Sequence, residues 1–404
     1  MPSSPSMYRL TASLLTLGAL LAGCGGGSSD SPAPPPPGPG PGPGPTPTLE
    51  LSFTAPKAAD NVFDANSPVY LETYLAADGN PAGNNNPVTF AAATASFAPV
   101  QAMTVGGRAT STMNASQVGP LQVQASATVS GRSTTINRTF YIRPARKDME
   151  VLVPAYFSAG KDSDWDAMLK GLENYPGLKI TAILNPTNGV FTERNKDFAE
   201  AMLALQKAGG KVIGYVATRY GDGERSVTEV TKNVDNYLTL YPEIDGIFLD
   251  EMQNKPNRIE FYQAVYKHIK TKKNQAGASL SVVGNPGMFP DAVYAGVADT
   301  LVTFEGKENA YLSIDPQPNQ TWVYNKDNTA QAMLVHNAIS CTSMQNALKT
   351  AYLARTHAGM VYVTDLLYEY TTNTGNPWAK LPTYWNTFLG TVDALNKKQP
   401  LPNC

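Results

Sequence analysis

The sequence predicts an α/β fold class: an eight-fold β/α (TIM-type) barrel preceded by an all-β immunoglobulin-like sandwich module. Three observations lead there. From residue 149 onward, eight apolar runs alternate with helical segments across about 250 residues, which is the count and size of such a barrel. From 48 to 145, short runs alternate apolar and polar residues between Asn-, Gly- and Ser-rich joints, the pattern of a sandwich of short strands. No GxGxxG or GxxxxGKS/T phosphate loop occurs. Together with the strand count, that excludes a dinucleotide-binding doubly wound layout.

Taken in order, residues 1–23 read as a lipoprotein signal peptide. Arg9 gives a weakly basic start, and the apolar run 10–22 is too short to span a bilayer. The run ends in Leu21-Ala22-Gly23-Cys24, which resembles the lipobox of bacterial lipoproteins. That implies lipidation of the Cys24 thiol and cleavage before it. An ordinary signal peptide with an incidental cysteine is the alternative. Gly25, rather than an aspartate, resembles lipoproteins sent on to the outer membrane, facing the periplasm or the cell surface. Contact with the membrane is then through acyl chains alone. Residues 24–47 comprise the lipidated cysteine and a linker, GGGSSDSPAPPPPGPGPGPGPTP, with nothing to build a core from. An extended polyproline form of it, at about 3.1 Å per residue, reaches roughly 70 Å.

Residues 48–145 form the predicted sandwich, with strand candidates at 49–53, 68–74, 87–91, 121–129 and 134–142. No chemical constellation stands out in it, so a spacer or a weak glycan-binding module is expected. Residues 149–404 form the predicted barrel. Its strand candidates are 149–157, 179–185, 211–218, 245–251, 280–285, 300–305, 332–337 and 360–365. Most are continuous apolar runs, as parallel strands buried on both faces require. Helical spacing marks 165–172, 196–208, 227–240, 258–271, 344–356 and 384–395. The fifth connection, after Asp291, is short, and the sixth is poorly defined.

Composition narrows the function. Charged residues are 16% of the chain and the net charge is −2, so neither a nucleic acid nor a strongly anionic partner is expected. Three histidines, and no metal-ligand spacing, point to no metal and no cofactor. Cys24, Cys341 and Cys404 are too few for a disulfide scaffold and too far apart for a zinc knuckle. Export places Cys341 and Cys404 where they can pair; two unrelated free thiols is the equal alternative. The chain is expected to act as a monomer.

Barrel active sites lie at the C-terminal ends of the strands. There the sequence places Tyr156, Asn185, Tyr215, Asp250, Glu251, Asn285, Glu305, His336 and Asp365. Titratable residues after apolar runs are hard to explain by packing, because a buried carboxylate costs several kcal/mol unless paired. Glycoside cleavage needs two carboxyl groups, one to give a proton to the leaving oxygen and one to attack or to activate water. Asp250 and Glu251 end the fourth strand and Glu305 the sixth, close enough across the ring to cooperate. In a regular strand, Asp250 and Glu251 point to opposite sides. A helix cap or loop ion pair is the structural alternative for them. Tyr156, Tyr215, Tyr220 and Trp378 can stack on sugars or serve as packing, and Asn185 and Asn285 can bind hydroxyls or cap turns.

The segments VPAYF (153–157), AILNP (182–186), GYVATRYG (214–221), DGIFLDE (245–251), NPG (285–287), FEG (304–306), LVHN (334–337) and VYVTD (361–365) resemble the spherulin-4-like family. That family is similar to glycoside hydrolase family 135, barrel enzymes that degrade galactosaminogalactan. The resemblance implies an endo-acting glycoside hydrolase cutting α-1,4-linked N-acetylgalactosamine or galactosamine exopolysaccharide. It implies Asp250, Glu251 and Glu305 as the essential acids, with Asp250 and Glu305 as the pair. It leaves Tyr156, Asn185, Tyr215, Asn285, His336 and Asp365 as candidate substrate contacts. A non-catalytic glycan-binding or adhesion lipoprotein is the alternative reading.

Overall fold

A computed structural model describes residues 48–404. The expected signal peptide, lipidated Cys24 and linker lie outside the described residues.

The first ten strands make two sheets. One runs in the order β1 (Leu49–Ala55), β3 (Val69–Ala77), β8 (Arg108–Ala115), β6 (Ala95–Ala98), with β4 (Asn80–Pro81) on β3. The other runs β2 (Val62–Asp64), β10 (Arg132–Arg143), β9 (Gly119–Val129), β5 (Pro87–Ala91), β7 (Gln101–Met103). Alternate residues point inward, so Leu71, Leu75 and Met113 of one sheet share a buried cluster with Val88, Val123 and Phe140 of the other. β8 and the four short strands β2, β4, β6 and β7 were not expected from the sequence.

The barrel closes from eight parallel strands: β11 (Glu150–Val153), β12 (Ile180–Leu184), β13 (Lys211–Ala217), β14 (Gly246–Asp250), β15 (Ser281–Gly284), β16 (Thr300–Lys307), β17 (Gln331–His336) and β18 (Met360–Val363). Closure is made by Val151 pairing with Val361. The strands are almost wholly buried, which accounts for their unbroken apolar runs. Helices α1 (Asp164–Asn174), α2 (Lys196–Lys207), α3 (Val227–Leu240), α4 (Ile259–Lys270), α6 (Cys341–Tyr352) and α7 (Trp385–Lys397) follow strands one to four, seven and eight. The fifth connection holds only a 3-10 turn, Ala292–Gly296, and the sixth only a one-turn α5 (Glu308–Tyr311) and further 3-10 turns. A short hairpin, β19 (Tyr368–Glu369) with β20 (Thr374–Gly375), stands in the eighth loop.

Two features fix the two ends of the barrel chain. Arg143, at the end of β10, reaches Ala354 O and His357 between α6 and β18, so the two-sheet region docks at the N-terminal end of β18. Cys341 and Cys404 form a disulfide that ties the C-terminal residue to the start of α6. Among the described residues, no helix is long and apolar enough to cross a membrane.

Candidate active site

Asp250 is the last residue of β14, and the chain turns sharply after it. Thr218, fully buried in the loop after β13, causes the turn. Its backbone N–H donates to Asp250 O at 2.9 Å, and its hydroxyl lies 2.8 Å from both Asp250 O and Glu251 O. Tyr220 N donates to Glu251 O at 2.7 Å. Glu251 is thereby held at φ 53°, a left-handed conformation uncommon for this residue type. The strict alternation expected of a strand therefore ends at Asp250, and Glu251 leaves along the loop toward Arg219.

Glu305 arrives from the other side. The pairing of β16 with β17 shifts register between Val302 and Phe304, an irregularity of the kind that re-aims the residues beyond it. Glu305 N then donates to Gly287 O at 2.9 Å. Asn285, which follows β15, sits between the two acids. Its Nδ2 donates to Asp250 Oδ1 at 2.7 Å and to Glu305 Oε2 at 2.6 Å. Its own carbonyl oxygen is held by Gly287 N at 3.0 Å, which fixes the amide orientation. Two such bonds to one nitrogen keep the carboxylate oxygens within about 5.3 Å of each other. Tyr215 Oη donates to the other Asp250 oxygen at 2.7 Å, and Tyr156 packs edge-on against Tyr215 at 5.6 Å.

This environment separates the two acids. Burial, and then the negative charge of Asp250, push the Glu305 carboxyl up to about 7; donors on Asn285 and Trp378 hold part of that rise back. Burial also raises Asp250, but bonds from Tyr215, the backbone and Asn285 and the charge of Arg219 oppose it. Asp250 thus has more donors favouring its anion, and Glu305 is the group that keeps its proton near neutrality. Glu251 is raised by burial against the pull of Arg219, whose Nη1 lies 3.0 Å from Glu251 Oε1. Its other oxygen is buried with no partner.

Of the residues expected at the site, Asp250, Glu251, Glu305, Asn285, Tyr215 and Tyr156 gather here. His336 closes β17, buried, with Nδ1 2.6 Å from Asn337 Oδ1 and Nε2 3.1 Å from the Tyr370 hydroxyl. Burial lowers its pKa, favouring the neutral ring. Tyr370, the partner of His336, has its own pKa raised by burial and by the charge of Glu305. Asp365 lies past the end of β18, and its carboxylate accepts from Thr383 N at 3.2 Å and Thr383 Oγ1 at 2.5 Å; it anchors the segment before α7. Asn185 faces a neighbouring cleft. Sequence reasoning missed Thr218, Arg219 and Tyr370. A threonine and an arginine directly after an apolar strand, in ATRYG (217–221), were a readable signal. Tyr370, on a hairpin with no apolar alternation, gave none. Among the described residues, no group of three or more His, Cys, Asp or Glu is placed to hold a metal ion.

The model of the Spherulation-specific family 4 matches residues 150–392. Over 225 residues the chain is 32% identical to Spherulin-4 of Physarum polycephalum, covering 54% of this chain and 63% of that protein; the match thus spans less than two thirds of the relative. Among solved structures the chain is similar to Sph3 of Aspergillus clavatus in complex with GalNAc, with 21% identity and a TM-score of 0.50. That match covers 61% of this chain and 98% of Sph3, and it speaks to the barrel fold.

Proposed function

The chain belongs to Spherulation-specific family 4, and on that premise we propose that its barrel is an endo-acting glycoside hydrolase for α-1,4-linked N-acetylgalactosamine or galactosamine exopolysaccharide. The observation that carries the reading is the Asn285 amide joining two half-buried carboxyls of unlike proton affinity. The substrate class rests on the family and on the GalNAc bound by Sph3.

The geometry suits a two-step displacement. The ceiling of about 5.3 Å on the nearest oxygens lies short of the 6.5–9.5 Å that inverting glycosidases leave for a water, and so favours the retaining arrangement. Protonated Glu305 gives its proton to the glycosidic oxygen as the C1–O bond breaks. The Asp250 carboxylate attacks C1 from the opposite face and forms a glycosyl ester. Esterification removes the charge that raised Glu305, so the Glu305 carboxylate left by the first step becomes less basic and stays deprotonated. It then takes a proton from the water that cleaves the ester, and both groups return to their starting states. In an α-linked 2-acetamido sugar, the acetamide lies cis to the leaving group and cannot assist from behind, so both carboxyls come from the protein. Glu251, paired with Arg219, stiffens the turn that presents Asp250.

We further propose that the protein is an exported lipoprotein anchored through Cys24. The Cys341–Cys404 disulfide supports an oxidising compartment. The two-sheet region, in this reading an immunoglobulin-like spacer, lies between the anchor and the barrel in the sequence. The test uses the purified full chain on partly deacetylated α-1,4-N-acetylgalactosamine polymer, with new reducing ends as the readout. Release by the wild type and its loss in Glu305→Gln supports the reading. Binding without release favours a glycan-binding role, and neither binding nor release removes the substrate assignment.

A further inference from the structure

A cleft of about 730 Å³ opens beside the acids, under the loops that follow β11 and β12. Its walls include Tyr156, Asn185, Thr187, Phe191, Arg194 and Phe198, and neither Asp250, Glu251 nor Glu305 lines it. Tyr156, on its wall, packs edge-on against Tyr215, whose hydroxyl holds Asp250.

Two of its polar side chains are already engaged. Arg194 is bonded to both carboxylate oxygens of Glu243, at 3.0 and 3.1 Å. Asn195 accepts from Phe198 N at 3.0 Å and so caps α2. Asn185 differs. Its Oδ1 is buried without a partner, and its Nδ2 makes only a 3.5 Å contact to Asn188 Oδ1. A buried amide oxygen left unpaired is costly, and a ligand N–H or O–H supplies the missing donor.

The cleft is also held in register with the acids. Gly189 adopts φ 79°, and a Cβ there would collide with the Tyr215 carbonyl oxygen. The loop carrying Thr187 and Val190 thus rests on the backbone of the residue whose hydroxyl holds Asp250. Aromatic faces from Tyr156, Phe191 and Phe198, the open Asn185 amide and the Glu193 carboxylate on the same wall match a pyranose that brings N–H and O–H donors. The size exceeds one water cluster and sits within the range of small-ligand sites.

We infer that this cleft is a subsite for a neighbouring acetamido-sugar of the same chain, with Asn185 receiving a hydrogen bond from its N–H or O–H. This rests on the hydrolase reading above. It gives the site a preference for long substrates, because a chain that fills the cleft gains binding that a shorter one lacks.

The test measures kcat/KM for defined α-1,4-N-acetylgalactosamine oligosaccharides, from the shortest one cleaved upward, in wild type and Asn185→Ala. Efficiency in the wild type should rise at the length that first fills the cleft. In the variant, the ratio of long- to short-substrate kcat/KM should fall about tenfold, the scale of one hydrogen bond plus its contacts. A purely structural role lowers all lengths alike and leaves the ratio unchanged, which overturns the subsite. Melting temperature, read alongside, identifies that case. If the wild type cleaves oligosaccharides but shows no length dependence, the subsite is wrong and the hydrolase stands. If the wild type cleaves none, the hydrolase reading falls and takes the subsite with it.

Discussion

Two buried polar clusters in this molecule are built to opposite specifications. At the junction of the two-sheet region and the barrel, Arg143 is 4% exposed and its charge is answered. Its Nε donates to Asp64 Oδ1 at 2.7 Å, and its Nη1 to Ala354 O at 2.8 Å and His357 Nδ1 at 3.0 Å. His357 in turn donates from Nε2 to Lys326 O at 2.8 Å. At the barrel mouth, Asp250 and Glu305 share one amide donor, and a Glu251 oxygen has no partner at all. The satisfied contacts of Arg143 fix geometry, whereas an unsatisfied carboxylate stores the proton affinity that chemistry uses.

The contrast can be broken from either side. The largest effect should come from Glu305→Gln, which keeps the shape but removes the transferable proton. Its turnover on the polymer should fall by about 10³-fold, within the usual reach of acid catalysis, while its folding transition is retained. Removing repulsion should even help the fold. Glu305 is raised above its unfolded value of 4.5 to about 7. The protonated group's contribution to stability is therefore fully present below about 4.5 and is lost as pH rises through about 7. The melting temperature of Glu305→Gln relative to wild type should increase over that window.

Next in size is Arg143→Ala. It strands Asp64 and the His357 ring, and should cost about 3 kcal/mol of stability with kcat unchanged, measured by denaturation and reducing-end release. A loss of kcat there, or of stability at Glu305, would erase the distinction. Tyr215→Phe should be smaller: one donor to Asp250 disappears, the acid limb of the pH–rate profile moves upward, and kcat/KM falls about tenfold. The smallest effect lies at His357, whose folded pKa is lowered from 6.5 to about 4 by burial and by Arg143. Its contribution is present above about 6.5 and lost as pH falls through about 4. His357→Asn, which tolerates the left-handed φ of 57°, should narrow the difference in melting temperature between pH 7 and pH 4.5. The mouth thus loses stability toward alkali and the junction toward acid.

The same contrast explains what could be read from the sequence. Barrel strands announce themselves because burial on both faces leaves mainly apolar residues, so Asp250 and Glu305 stood out as interruptions. Strand β8 did not, because its inward residues are Ala109, Ser111, Met113 and Ala115 and its apolar contrast is weak. Asn285 was visible as a strand end, but its bridging of two carboxylates depends on a register shift in β16 that leaves no mark on local pattern. Arg143 and His357 are 214 residues apart, and no periodicity connects them. Tyr370 belongs to a hairpin whose turn residues are polar throughout. Local propensity reports burial well and reports long-range polar pairing poorly.

The central claim is that Asp250 attacks while Glu305 supplies and recovers the proton. Proton NMR of the first reducing ends released by wild type from α-1,4-linked polymer tests it most directly. The close carboxylates predict α product appearing first and equilibrating later to the anomeric mixture. β product appearing first would mean direct attack by water, and would contradict the assignment of Asp250 as nucleophile.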